Sequence, residues 1–196
     1  MGGMTEPPAE RRGVRISDPQ VMRALAHPAR LAIMEQLSAL PEGATATECA
    51  DIVGLSPSAT SYHLRELAKA GLVEPAPSRG DARERIWRTV SPSWTVDAGR
   101  DAEPEAVAAQ TAVVEAFLAV ELKRSRDWLR RAPAEPPEWY DVARLSESQL
   151  LVTAAELAEL NDAVDRLLEP YRKRTRTDPP SDARTVSIYY KALPLE

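Results

Sequence analysis

Residues 55–67 read LSPSATSYHLREL and predict a helix that begins after Ser56. The Ser56 hydroxyl can accept a hydrogen bond from a free amide of the first turn, and Pro57 stands where a missing NH costs nothing. Gly71 suits the left-handed residue that ends a helix. These signals predict one helix from Ser56 to Ala70.

The two faces of this helix carry different chemistry. The apolar residues that are expected to face a core are Ala59, Leu64, Leu67 and Ala68. The other side chains are short or aromatic hydrogen-bonding groups, which allow a helix to approach base edges and phosphates closely. The candidate DNA-contacting residues of this helix are Ser56, Ser58, Ala59, Thr60, Ser61, Tyr62, His63 and Arg65. A helix of this composition is by itself more often an ordinary surface helix, so its neighbours decide the interpretation.

A shorter helix is predicted immediately before it. Residues 45–53 place Ala46, Cys49, Ala50 and Val53 on one side. A glycine follows at position 54, which predicts a stop and a tight turn. The order of helix, glycine turn and second helix is that of a helix-turn-helix motif.

A β-hairpin is predicted after the second helix. Residues 71–75 and 85–90 have the composition of strands, and residues 78–84 form a polar turn between them. A hairpin in this position is typical of a wing. Arg79 and Arg83 at its tip are candidates for contact with phosphate or with the minor groove, although two acidic neighbours weaken the local positive field.

Two more helices are predicted upstream, opened by Ser17-Asp18-Pro19 and by His27-Pro28. Three motifs then occur in order, and they are His27-Pro28-x-Arg30-Leu31, Leu55-Ser56-x-Ser58-x-x-Ser61-x-His63-Leu64 and Ala70-Gly71-Leu72-Val73. In these motifs and in the wing, residues 17–95 resemble the ArsR family of winged-helix repressors. The resemblance implies a homodimer that binds a pseudo-palindromic operator in double-stranded DNA and releases it when an inducer binds.

The resemblance also raises metal sensing, because the best-known members of the family sense metals. The resemblance implies metal ligands of one of two kinds. The first is a set of thiolates on the helix before the recognition helix, where this chain has only Cys49. The second is a set of carboxylate and imidazole pairs on a C-terminal helix. Soft-metal sites need several converging thiolates or imidazoles, and the two histidines, His27 and His63, lie in the N-terminal half. We therefore expect no metal and no cofactor, and we expect Cys49 to be a small buried side chain. A site shared by Cys49 of two chains is the one exception left open.

The net charge of −5 is unevenly distributed. Residues 1–95 contain 11 basic and 11 acidic residues, whereas the remainder contains 14 and 19. A neutral DNA-binding part predicts modest non-specific affinity. The chain has one cysteine, no run of eighteen apolar residues and no signal-peptide core, so we expect a cytoplasmic protein that does not enter a membrane. Enzymatic activity is not expected, because the sequence has no Gly-rich phosphate loop, no HExxH motif and no Gly-x-Ser-x-Gly elbow.

The sequence predicts three parts. Residues 1–15 are expected to be a disordered arm, residues 16–96 a winged helix-turn-helix DNA-binding domain, and residues 97–196 a C-terminal domain for dimerisation and candidate effector binding. The expected fold class is mainly α with small β: a winged helix-turn-helix domain plus a C-terminal helical extension with a small two-stranded β element.

The C-terminal part is predicted to begin with a long helix over residues 103–131. Its apolar residues are Val107, Val113, Val114, Phe117, Leu118, Leu122, Trp128 and Leu129. They favour pairing with the same helix of a second subunit, with internal packing against the tail as the alternative. Residues 143–152 and 183–192 alternate like strands, and between them a capped helix runs from Thr153 to near Tyr171. Two strands alone are marginal, so we expect them to pair with each other beside the helix or to extend a sheet across the dimer.

Effector binding is expected of aromatic side chains in and near this part. The candidates for lining a pocket for a small apolar molecule are Trp94, Trp128, Trp139, Tyr140 and Tyr171. Large aromatics in a chain with one Phe are, however, more often part of its core. The leading function is a DNA-binding repressor of transcription. The alternatives are a winged-helix protein-interaction module without DNA binding and a regulator gated by a small organic ligand in the C-terminal domain.

Overall fold

The computed structural model describes residues 14–77 and 85–195. The chain forms two compact units, one ending at Val120 and the other starting at Glu121. One long helix belongs to both units, and each unit is described by itself.

The first unit is built around four short helices. They are α1 (Pro19–Leu25), α2 (Pro28–Ser38), α3 (Ala46–Val53) and α4 (Pro57–Lys69), and the long helix α5 (Pro104–Arg131) begins in the same unit. Local hydrogen bonds fix where the four short helices begin. The side chains of Asp18, His27, Thr45 and Ser56 each accept a bond from a backbone NH of the following turn. The predicted helices of this unit are therefore confirmed, as are the cap at Ser56 and the helix openings at Asp18 and His27, and the structure adds a cap at Thr45.

The strands of the first unit form two small sheets. They are β1 (Val14–Ile16), β2 (Ala44–Thr45), β3 (Val73–Ala76), β4 (Ile86–Thr89) and β5 (Trp94–Val96). Strands β2, β4 and β3 form an antiparallel sheet in that order, and its β3–β4 pair is the predicted wing hairpin. Strands β1 and β5 pair in parallel, with Val14 opposite Trp94. The sequence predicts a disordered arm that includes Val14 and Arg15, whereas both residues are part of a strand.

The core of the first unit comes from all of its helices. Its largest fully buried side chains are Met22, Leu25, Leu31, Ile33, Met34, Leu37, Leu64 and Leu67. Burial stabilises the fold by about 2 kcal/mol for each large apolar side chain. Helix α5 adds the small residues Ala109, Val113 and Ala116 to the same cluster. The inner face of α5 is thus occupied within the chain, and the exposed residues of this helix form a second face.

The second unit contains the rest of α5, a 3-10 turn (Ala132–Ala134), α6 (Pro137–Tyr140) and α7 (Ala154–Leu168), which a 3-10 turn (Glu169–Tyr171) continues. The predicted capping box of α7 is present, because the Thr153 NH donates to Glu156 Oε2 at 2.7 Å and the Glu156 NH donates to Thr153 Oγ1 at 3.2 Å. The fold class is confirmed: a mainly helical chain with small sheets, comprising a winged helix-turn-helix domain and a helical extension.

The prediction of strands at 143–152 and 183–192 is wrong for the single chain. Both segments are extended without strand pairing, and nearly all their residues are exposed. Two strands need a third strand or a well-covered face to be stable, and the described part of this unit offers neither, since its only buried residue is Ala132. Among the described residues, no helix combines the length and the apolarity that a membrane crossing requires.

Candidate nucleic-acid interface

Helices α3 and α4 are joined by a tight turn. Gly54 adopts φ 69°, the left-handed conformation that glycine reaches without strain. Its NH and the NH of Leu55 both donate to the carbonyl of Ala50, at 2.9 and 3.1 Å. The Ser56 hydroxyl then accepts from the Ala59 NH at 3.2 Å and starts α4. Short-range hydrogen bonds therefore set the angle between the two helices.

The outward face of α4 carries Ser58, Tyr62 and Arg65, all of which are exposed. Intervals of four and three residues place them on one stripe of the helix. Half of the Tyr62 surface is accessible, at 50%. Among the described residues Arg65 forms no ion pair, so its five NH donors are available to an external acceptor. These three residues are exposed, as a DNA-contacting face requires, and their contact with DNA stays a prediction.

Thr60 does not belong to this face, which corrects the sequence interpretation. Its exposure is 0%, because intervals of four and three residues place it in line with the buried Leu64 and Leu67. Its hydroxyl has no hydrogen-bond partner among the described residues. Thr60 is a core residue, whereas Ala59 and Ser61 are half-buried at the edge of the stripe.

His63 lies in the middle of α4, beside the start of α2. Its ring centroid is 4.7 Å from that of His27 and 5.4 Å from that of Tyr62. His27 Nδ1 accepts a bond from the Ala29 NH at 3.1 Å, which requires this nitrogen to be unprotonated. Burial lowers the pKa of His63, and His27 and Arg30 lower it further. Both rings are therefore neutral near pH 7, and His63 supports α4 rather than offering a charge to phosphate.

A cleft lies beside the outward face, between α3, α4 and the wing. It has a volume of about 290 Å³ and is lined by Thr45, Ala46, Thr47, Ser61, Arg65, Arg85 and Trp87. The Arg85 guanidinium lies 5.4 Å from the centre of the Trp87 ring, a cation–π contact that holds the side chain in place. Two guanidinium groups and several hydroxyls in one cleft can bind a phosphate group. Sequence reasoning missed Arg85, although its position directly before β4 could have indicated it.

The two wing strands carry an ion pair across their backbone ladder. Glu74 on β3 lies opposite Arg88 on β4, and Arg88 Nη2 is 2.7 Å from Glu74 Oε1. Arg88 is thereby engaged within the protein. The candidate wing residues Arg79 and Arg83 lie outside the described residues, so their contact with DNA stays a prediction.

The five candidate effector residues are divided between the two units. Trp94 lies on β5 in the first unit, where it packs against the core. In the second unit, three rings each face an arginine: Trp128 faces Arg131 at 5.1 Å, Trp139 faces Arg184 at 4.8 Å and Tyr171 faces Arg176 at 5.5 Å. The fifth candidate, Tyr140, is exposed. A shared pocket for these residues stays a prediction.

Cys49 is buried in the core of the first unit, as predicted. Burial raises the pKa of its thiol to about 11, and the neighbouring Glu48 acts in the same direction. In the described ranges 14–77 and 85–195, no three side chains of His, Cys, Asp or Glu are grouped as a metal site would need.

Comparison with known proteins addresses the same part of the chain. Residues 25–76 match the family described as Helix-turn-helix domain. The HTH-type transcriptional regulator YgaV of Escherichia coli (strain K12) is 40% identical over 67 residues, which are 34% of this chain and 64% of YgaV.

Two solved structures were also aligned. The PcaV transcriptional regulator from Streptomyces coelicolor, in complex with its natural ligand, gives a TM-score of 0.31 at 16% identity, covering 72% of this chain and 74% of PcaV. A MarR family protein of Mycobacterium tuberculosis, in complex with salicylic acid, gives 0.29 at 17% identity, covering 77% and 87%. The sequence match and the geometry of α3 and α4 together identify residues 25–76 as a helix-turn-helix domain.

Proposed function

We propose that this protein is a sequence-specific DNA-binding regulator of transcription that inserts α4 into the major groove. The observation that carries the proposal is the exposed stripe of Ser58, Tyr62 and Arg65 on a helix with a well-packed inner face. An arginine on such a stripe can bind guanine through two hydrogen bonds, and a serine can bind most bases. The similarity to the regulator YgaV supports the same function.

Contacts to the DNA backbone are assigned to the cleft beside α4. Arg65 stands at the edge between the stripe and the cleft, and Arg85 lies across it on the wing side. Phosphate contacts fix the position of a protein on the duplex, while base contacts select the sequence. The cleft would therefore hold α4 at a set depth in the groove.

A homodimer is proposed through the outer face of α5. Val107, Val114, Leu118, Leu122 and Leu129 are each between 43% and 67% exposed. Their intervals of seven, four, four and seven residues keep them on one stripe of α5, and an exposed apolar stripe of this length can pair with the same helix of a second copy. Two copies of α4 spaced by one turn of DNA, roughly 34 Å, would read a pseudo-palindromic operator.

We further propose a repressor of the ArsR type that does not sense metal. The resemblance of the His27, Ser56 and Gly71 motifs supports the type. The buried thiol of Cys49, with its raised pKa, is a poor metal ligand because the thiolate is the form that binds.

Selection of bound sequences from a random DNA library, using the full-length protein, tests the proposal. We expect enrichment of an inverted repeat. Replacing Arg65 with Ala should then weaken binding to that operator by roughly 10-fold to 100-fold, as expected for loss of a bidentate base contact. Arg23→Ala is the matched control, because Arg23 is an exposed arginine of α1 that pairs with Glu105 at 2.8 Å.

Two results would contradict the proposal. Enrichment of no sequence would favour the winged-helix protein-interaction module. An equal loss of affinity in the Arg65 and Arg23 variants would mean that general charge, rather than the α4 stripe, produces the binding.

A further inference from the structure

The residues after α6 have no core of their own in the single chain. Among residues 141–195 none is buried, and the apolar side chains of α7 are at best half-buried. The same residues nevertheless have folding signals, since α7 carries a complete capping box. A segment that encodes structure but buries nothing needs a surface that the described residues of its own unit do not supply.

Two extended segments carry most of the large, exposed apolar side chains of residues 141–195. We define residues 142–152 as the first arm and residues 183–193 as the second arm. Ten large apolar side chains on the arms are exposed by 42% or more, and they are Val142, Leu145, Leu150, Leu151, Val152, Val186, Ile188, Tyr189, Tyr190 and Leu193. Together they expose on the order of 1,000 Å², which exceeds the roughly 800 Å² that each partner buries in an interface of standard size.

The second arm has the sequence of a half-buried strand. Val186, Ile188 and Tyr190 fall on one face, and Thr185, Ser187 and Tyr189 fall on the other, more polar face. The Tyr190 hydroxyl donates to Asn161 Oδ1 on α7 at 2.9 Å, so the apolar face includes a residue that is already anchored to that helix. What the arm lacks is a neighbouring strand to pair with its backbone.

The charge of this region favours self-association. Residues 141–195 contain eight Lys and Arg against nine Asp and Glu, a net charge of −1. Two copies can meet with little net repulsion, whereas a nucleic acid would find little attraction. Two arms from one chain are marginal as a sheet, but two copies supply four strands. Around a two-fold axis, each copy makes the same contacts to the other.

We propose that the two arms fold as strands against the arms of a second copy of this chain, forming one shared sheet that the two α7 helices cover. This inference rests on the homodimer of the proposed function and assigns a role in it to the C-terminal residues. The paired arms, which we call the clasp, are distinct from the exposed apolar stripe of α5.

Amide hydrogen exchange of the full-length protein tests the proposal when it is measured across a dilution series with sedimentation equilibrium in parallel. Amides of both arms should exchange at least about tenfold more slowly in the dimer than in the monomer. Their protection should fall in step with the dimer fraction.

A pair of substitutions on the second arm sharpens the test. Ile188→Asp puts a charge on the apolar face and should raise the dimer dissociation constant at least about tenfold, since a charge on a buried strand face has no partner. Thr185→Asp, on the opposite face of the same arm, should leave it within about twofold. Equal dissociation constants for the two variants would overturn the proposal.

The remaining outcomes distinguish failure of the clasp from failure of the homodimer. A dimer whose arms exchange freely overturns the clasp and leaves the homodimer intact. Arms that are protected at every dilution pair within their own chain, which also overturns the clasp. A chain that stays monomeric at the highest concentration contradicts the homodimer itself, and the clasp with it.

Discussion

Replacing Thr60 with Val should stabilise the protein without changing its affinity for DNA. The Thr60 side chain is fully buried and its hydroxyl has no partner among the described residues. Leaving a buried hydroxyl unpaired costs about 1–3 kcal/mol, and an apolar group of the same shape removes that cost. Thr and Val have similar helix propensities, so the backbone contributes little to the difference. We expect a gain of about 1 kcal/mol, which corresponds to a rise of about 2–4 °C in Tm for a chain of this size.

The matched control is the same substitution at Thr45. That hydroxyl is also in a nearly buried residue, but it accepts the Glu48 NH at 3.1 Å and caps α3. Thr45→Val should therefore destabilise by about 1 kcal/mol, the usual cost of losing a cap. Urea midpoints and operator titrations of both variants provide the measurement. A loss of stability in Thr60→Val would show that its hydroxyl is hydrogen-bonded, and a loss of affinity with unchanged stability would return Thr60 to the DNA-contacting face.

Three further results are expected. The lowered pKa values of His27 and His63 mean that the folded chain binds protons less readily than the unfolded chain. Their contribution to stability is therefore complete above the ordinary imidazole value of 6.5 and is lost as the pH falls below it, so the urea midpoint should fall between about pH 7 and about pH 5, and less in His63→Gln. Gly43→Ala should destabilise severely, because Gly43 has φ 73° and an added Cβ would lie 2.4 Å from a backbone carbonyl of β4; an unchanged Tm would contradict this geometry. Cys49 should resist alkylation until the protein unfolds, since its thiol is buried and its pKa is raised to about 11; rapid labelling of the native protein would place it at the surface.

The parts of the fold that could be predicted from sequence are those fixed by near neighbours. The caps at Thr45 and Ser56, and the glycine turn at Gly54, depend on residues at most five positions away. The pairing of β1 with β5 joins residues 80 positions apart, such as Val14 and Trp94. The sequence of neither strand identifies the other strand as its partner. A local signal cannot specify a contact of that range.

The error at Thr60 within the candidate site has the same origin. Thr60 has the chemistry of a DNA-contacting residue, and only its alignment with Leu64 reveals that it faces the core. The contact of His63 with phosphate stays a prediction, and its contact with His27, from a different helix, has no signal in the sequence. The two C-terminal segments do alternate like strands. Whether they pair depends on a surface that the described residues of their unit do not contain.

The balance of charge favours binding by two copies of α4, as in the proposed homodimer. Because residues 1–95 carry equal numbers of basic and acidic groups, few phosphate contacts are available to one subunit. Arg65 is assigned to a base edge, so Arg85 supplies one phosphate contact for each subunit, which makes two in the proposed dimer and a salt slope of about −1.8 on logarithmic axes. If Arg79 and Arg83 also reach phosphate, the dimer makes six contacts and the slope approaches about −5.4. Operator titrations between 50 and 200 mM salt, a range over which these slopes lower the affinity by about tenfold and by more than about a thousandfold, distinguish the two. A slope near the smaller value would mean that base contacts and dimerisation, rather than the wing tip, provide most of the affinity.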